Sequence, residues 1–210
     1  MVQGILIEDS GVVDRLRAAW LNHIAEGSCK KLLNARYLTE CPRKVVSRVL
    51  DPSSVKQTSS EIAREAMEAR AKCIWLNILE NNYNFRIDAR DIELVDSVLW
   101  LKTTLDAKIT VDGKSIAVIF RHTSLSELEK IKTMGPLKRD VVTAACTAYM
   151  AGLQDCVISY SHGDEAVFSH VSSSSFVMDP IVQKCRELCE YVLVSKLPSP
   201  CKSKKCEFCK

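Results

Sequence analysis

Residues 91–121, DIELVDSVLWLKTTLDAKITVDGKSIAVIFR, are where the chain changes from helical to alternating periodicity, and their reading decides the fold. Alternation predicts three strands at Asp91–Trp100, Thr103–Val111 and Ser115–Arg121. The turn Asp112-Gly113 joins the last two as a hairpin. The apolar positions require one buried face, so the strands are expected to pair in sequence order as an antiparallel meander. Upstream, Ser59-Ser60-Glu61 opens a long helix through about Leu79. Its inward positions are read as Ile62, Met67, Cys73 and Leu76 or Leu79, and it ends in the polar turn Glu80-Asn81-Asn82. A shorter helix begins near Leu38, with Thr39 as cap and Pro42 in its first turn, and Asp51-Pro52 ends it. Val12 to Ala25 carries Val12, Leu16, Ala19, Trp20 and Ile24 at amphipathic spacing.

Downstream, a helix is predicted from Leu137 to Ala151, stopped by Gly152. Strands Cys156–Tyr160 and Ala166–Val171 flank the turn Gly163-Asp164, Ser172 to Ser175 forms a loop, and Pro180 to Ser195 is the last helix. This order gives a mixed α/β (α+β) domain over residues 1–210. Its parts are a helical 1–85, a core at 86–195 and a cysteine-rich tail at 196–210.

The chain has 210 residues, 47% apolar and 26% charged, which is ordinary globular composition. A net charge of +3 excludes a polycation, so nucleic-acid binding would need a local basic groove. Basic residues do cluster, at Arg36, Arg43, Lys44 and Arg48 and again at Lys130, Lys132, Lys138 and Arg139, although a solvated helix face explains either group. No apolar run is long enough to span a bilayer, and no membrane partner is expected.

The tail places Cys201, Cys206 and Cys209 at C-x4-C-x2-C spacing after Leu197-Pro-Ser-Pro200. A thiolate site needs four sulfurs, and Cys41, which opens Cys41-Pro42-Arg43-Lys44, is the best fourth donor. The N-terminus lacks a basic start followed by a long apolar run, so a reducing cytosol is expected, where clustered thiols bind metal rather than form disulfides. Zinc and a 4Fe–4S cluster compete for the same ligands. One distant thiol joined to a triplet suits a cubane better than two symmetric hairpins would, and Lys202, Lys204, Lys205 and Lys210 could offset the negative charge of either centre. Cys29, Cys73, Cys146, Cys156, Cys185 and Cys189 read mostly as small core residues.

With these residues in hand, the chain resembles the RecB-like nucleases of the PD-(D/E)XK fold, in the branch of CRISPR-associated and related exonucleases that hold a 4Fe–4S cluster. The resemblance rests on Cys41-Pro42-Arg43, on Pro198-x-Pro200-Cys201 with Cys206 and Cys209, and on the meander between them. It implies a restriction-endonuclease-like core, with a central mixed sheet flanked by helices and an iron–sulfur clamp joining the N-terminal region to the tail. It also implies that Asp106, at the end of Thr103-Thr-Leu-Asp106, would hold Mg²⁺ or Mn²⁺. The family's Glu-x-Lys is replaced by Ile119-Phe120-Arg121, and its Gln-x3-Tyr by Ala145 and Tyr149. The histidine of its long N-terminal helix has no counterpart between Glu61 and Leu79. An isoleucine cannot bind metal and an arginine stays protonated, so the resemblance implies a degenerate centre with roles lost that are worth powers of ten in rate.

An alternative register keeps a D-x-K on one strand, with Asp96, Asp106 and Lys108 as the signature, and Glu127 or Glu129 could stand in for the missing ligand. The first functional expectation is a non-catalytic nuclease-fold protein with a structural cluster. It would bind nucleic acid, DNA by the resemblance, through Arg121, Arg43, Lys138 and Arg139. A virion or nucleoprotein component and an accessory subunit of a nuclease complex are concrete versions, with a protein partner or self-assembly, in the cytoplasm or in a virion. The second is an active Mg²⁺- or Mn²⁺-dependent DNA nuclease. The third is a zinc-stapled interaction module.

Overall fold

The computed structural model describes residues 31–81, 85–203 and 206–209. The helix expected at Val12–Ala25, and the lysines at 204, 205 and 210, lie outside the described residues. Six strands and five helices follow in the order β1 (Leu33–Asn34), α1 (Pro42–Leu50), α2 (Ser59–Glu80), β2 (Arg86–Asp96), β3 (Leu101–Val111), β4 (Lys114–His122), α3 (Leu125–Met134), α4 (Lys138–Met150), β5 (Asp155–His162), β6 (Glu165–Ser172) and α5 (Ser175–Leu193).

The meander forms as the alternation requires, with β2 antiparallel to β3 and β3 antiparallel to β4. The chain then crosses over through α3 and α4, so that β5 lies parallel to β4, and β6 returns antiparallel. The short β1 pairs parallel with the start of β3. Together these make a central mixed sheet flanked by helices. Alternation along β4 shows how the two faces are served: Ala117 and Ile119 join the large core with α1, α4 and α5, whereas Val118 and Phe120 meet Leu76 and Leu79 of α2.

Several boundaries differ from the sequence reading, each for a local reason. The first meander strand starts at Arg86 and stops at Asp96, because the Asp96 carboxylate accepts from the N–H groups of Val98 and Leu99 and turns the chain there. The apolar run Val98-Leu-Trp100 is therefore a turn, not strand. Helix α1 starts at Pro42 with Cys41, not Thr39, at its cap position. Proline suits the first helical residue because its missing N–H would have had no partner there.

Residues 125–134, for which the sequence reading predicts no element, form α3. Ser124 caps it by accepting from the Glu127 N–H, and Gly135 ends it at a positive φ. Helix α5 begins five residues before Pro180, which sits inside it and forgoes one helix hydrogen bond.

Helix α2 departs furthest from expectation. Thr58 and Glu61 form a reciprocal capping box at its start, and Leu76 and Leu79 are buried as expected. Ile62, Met67 and Cys73 instead face outward, and the inward positions of the first half carry Arg64, Glu65, Glu68 and Lys72.

Candidate functional site

Two polar constellations stand out. The first is the cysteine tetrad. Helix α1 offers Cys41 at its N-cap, and the tail folds back so that the Sγ atoms of Cys41, Cys201, Cys206 and Cys209 all lie within 4.8 Å of one another. Cys41 and Cys209 sulfurs are 3.4 Å apart, and the Cys201 N–H donates to the Cys209 sulfur at 3.3 Å. Arg43 holds the returning tail by donating to the Pro198 carbonyl at 3.2 Å. Burial would raise the Cys41 pKa, but the N–H groups of Lys44 and Arg43 and the thiols of Cys209 and Cys206 outweigh it and lower it to about 7. The partner sulfurs show the other side of that coupling. Cys209 accepts from Cys201 N–H, yet burial and its three sulfur neighbours push it up to about 12.

Four soft donors converging on one point could hold a metal ion through their thiolates. A single tetrahedral ion with bonds near 2.3 Å sets its sulfurs roughly 3.8 Å apart, close to the spacing found here. A cubane, with one thiolate on each of four irons, needs them further apart. Among the described residues this is the sole group of three or more Cys, His, Asp or Glu ligand atoms at metal-binding spacing.

The second constellation lies where β3 and β4 part. Their last ladder pair is Ala107 with Val118; beyond it β3 turns toward β1, and the Asp106 carboxylate takes the Phe120 N–H at 2.9 Å. The opening is a cavity of about 360 Å³, lined among others by Arg36, Glu68, Lys72, Asp106, Arg121 and Thr143. Every carboxylate in it faces a cation. Asp106 has Arg121 at 3.6 Å on one oxygen and Lys72 at 3.6 Å on the other, and Lys72 also pairs with Asp91. Arg121 reaches on to Asp140 at 3.3 Å, and the Tyr160 hydroxyl donates to the second Asp140 oxygen at 3.0 Å. Glu68 is bound by Arg36 at 2.9 Å, with Arg64 at 3.8 Å. Burial alone would lower the Arg121 pKa, but Asp140, Asp106 and Glu68 raise it instead. Lys72 is raised in the same way against its own burial, by Asp91 and Asp106.

Of the expected catalytic positions, Asp106 and Arg121 meet in this cavity. Ile119 is fully buried in the main core, Ala145 is buried in α4, and Tyr149 is 47% exposed on the surface of that helix. The alternative signature is not brought together. Asp96 closes the turn five residues from Asp106 along the sheet, roughly 16 Å at strand rise. Lys108 pairs opposite Ala117, and its charge acts on Asp88. Glu127 is held by the Thr123 hydroxyl, and Glu129 pairs with Lys132.

Of the expected nucleic-acid contacts, Arg121 is enclosed and matched, Arg43 holds the tail, Arg139 lies 3.6 Å from Asp140, and Lys138 is exposed. Lys184 on α5 was not singled out by sequence. Burial and the charge of Lys138 lower its pKa. Glu68, Lys72, Asp140 and Tyr160 were also missed. The i,i+4 pair Glu68/Lys72 on an alanine-rich helix was the signal available for the first two.

No protein-family model matches the chain, and no curated protein matches it. Solved structures do. The alkaline exonuclease LHK-Exo from Laribacter hongkongensis aligns with a TM-score of 0.60 at 10% identity, over 79% of this chain and 90% of that one. The protein SSO0001 aligns at 0.53 with 16% identity, over 94% and 93%. A phage-related exonuclease from Haemophilus somnus 129PT aligns at 0.51 with 10% identity, over 73% and 81%. At these identities the likeness is one of fold: the chain carries a mixed α/β fold similar to the folds of these proteins.

Proposed function

We propose that this protein is a catalytically silent nuclease-fold protein that binds nucleic acid in an architectural or accessory role, with the tetrad as its structural metal centre. The observation that carries the silence is the matching of Asp106. A divalent ion would have to displace Lys72 and Arg121 from its two oxygens, and the side chain two residues before Arg121 is the buried Ile119, which supplies no second ligand. Arg121, already bound to two carboxylates, serves the fold rather than a base or a phosphate clamp.

The nucleic-acid reading is supported by the fold. LHK-Exo has also been solved in complex with dAMP, and that structure aligns with a TM-score of 0.60 at 11% identity, over 87% of this chain and 93% of that one. The surface for phosphate contact is the pair Lys138 and Lys184, whose mutual repulsion a polyanion would relieve. At the tetrad, the triplet-plus-one arrangement supports a 4Fe–4S cluster and the close sulfur spacing supports a zinc ion.

Purified protein should bind duplex DNA in a salt-sensitive way and leave it intact with Mg²⁺ or Mn²⁺. Lys138→Ala and Lys184→Ala should each lower the slope of log affinity against log salt by about one. Metal-dependent cleavage abolished by Asp106→Ala would overturn the silent reading and support an active nuclease. Iron and sulfide analysis of anaerobic protein, against zinc content, decides the centre.

A further inference from the structure

The two edges of the sheet are built differently. Strand β2 carries Arg86, Asp88, Arg90, Asp91, Glu93 and Asp96, breaks register between Ile87 and Ala89, and holds Asp91 at a positive φ. Charges and irregularities of this kind keep an edge from pairing with another chain. Strand β6, the end of the ladder among the described residues, has fewer charges and none of the irregularities. Its eight residues pair with β5 without a register break, contain no proline, and include only Glu165 and His170 as ionisable groups.

Val167 and Val171 of β6 face the main core, while Phe168, on the α2 side, is 58% exposed and stands edge-on to Trp75. Helix α2 continues this surface. Ile62, Met67, Ile74 and Ile78 are 43–55% exposed, beside the exposed Ala66 and Cys73, and Arg70 is the sole charge among them. A trough of about 430 Å³ between α2 and the β5–β6 turn joins the two surfaces. The longest helix thus turns its charged side inward and an apolar side outward, next to an unguarded strand edge.

We propose that the β6 edge and the outer face of α2 form a self-association surface, on which a second copy of this chain docks about a two-fold axis with β6 against β6. The occupant must offer a strand edge and an apolar helix face side by side, and this chain offers both. Antiparallel pairing of two β6 strands continues the sheet and keeps the two Glu165 side chains at opposite ends of the new ladder. It also brings both α2 helices to the same side of the joined sheet, with the two Phe168 rings near the axis. Elements about 25 Å long are on the scale of a stable interface of roughly 800 Å² per partner. The inference stands apart from the nucleic-acid reading.

Sedimentation equilibrium of the full chain tests it over about 1–100 μM, a range that captures micromolar affinities. A dimer is expected. Phe168→Asp and Ile74→Asp should each weaken it about tenfold or more, the loss typical of a central apolar contact, with unchanged circular dichroism. Ile92→Asp, on the guarded edge, should leave it intact. A monomer at every concentration, or equal weakening by Ile92→Asp, overturns the proposal. A photo-crosslinker at position 74 supplies the second readout: capture of α2 or β6 from another copy supports the two-fold, whereas capture of residues 12–25 of the same chain shows that segment as the occupant and overturns it.

Discussion

The tetrad and the carboxylate cavity are both clusters of ionisable side chains, yet one is open to a ligand and the other is closed. At the tetrad the four sulfurs have chiefly one another for company, and one of them ionises near neutral pH. In the cavity Asp106 and Glu68, and behind it Asp140, are each matched by arginine or lysine. What separates a binding site from a structural network is therefore not the residue types but whether their charges are already compensated within the chain.

The largest break in that comparison should come from the tetrad. Replacing Cys41, Cys201, Cys206 or Cys209 by Ala should abolish metal content and lower the melting temperature by about 10 °C or more, since metal binding at such sites is folding free energy. Cys73→Ala, on the outer face of α2, should change neither elemental analysis nor the melt. A protein that keeps its metal without Cys41 would remove the tetrad from the comparison.

The cavity should respond next. Arg121→Ala leaves Asp106 and Asp140 facing a vacated cation position and should cost about 3–5 kcal/mol in urea denaturation, the loss expected when one partner of a buried pair is removed. Installing a Glu-x-Lys pair with Ile119→Glu and Arg121→Lys should open the site to Mn²⁺, detectable by calorimetry. A neutral Arg121→Ala would mean the network is not holding the fold.

A pH series sharpens the contrast between the two kinds of thiol. Burial pushes Cys146 and Cys156 up to about 12, above the ordinary value of 9.0. The unfolded chain therefore releases these protons first as pH rises. Their contribution is intact below pH 9 and is lost between 9 and about 12, so the urea midpoint should fall across that window. At pH 8, iodoacetamide should label Cys41 in chelated protein and spare both core thiols. The smallest effect is reserved for Tyr160→Phe, which removes one donor from Asp140 and one acceptor from the Leu137 N–H, at about 1–2 kcal/mol.

What was legible in the sequence was what short-range patterns encode. The meander follows from alternation and the Asp112-Gly113 turn, and the clamp from cysteine spacing and a proline break. Helix α3 carries a local signal of its own, the Ser124 cap with Glu127 three residues on. The inversion of α2 had no such signal, because Glu68 faces inward only when Arg36, 32 residues away, is there to meet it, and Lys72 only when Asp106 is. Likewise Asp140 and Tyr160 become one unit only after β5 and α4 pack. Pair chemistry across long sequence separations is set by the fold and is not written in any local window.

The tail clamp also has a mechanical meaning. Cys41 and Cys209 are 168 residues apart in sequence but touch in space. With a metal in place, tension applied between the chain around residue 41 and the C-terminus would run through metal–sulfur bonds and bypass the sheet. The intervening core would hang as an unloaded loop, and pulling would register first as rupture of the clamp, followed by a release of contour length worth most of the chain.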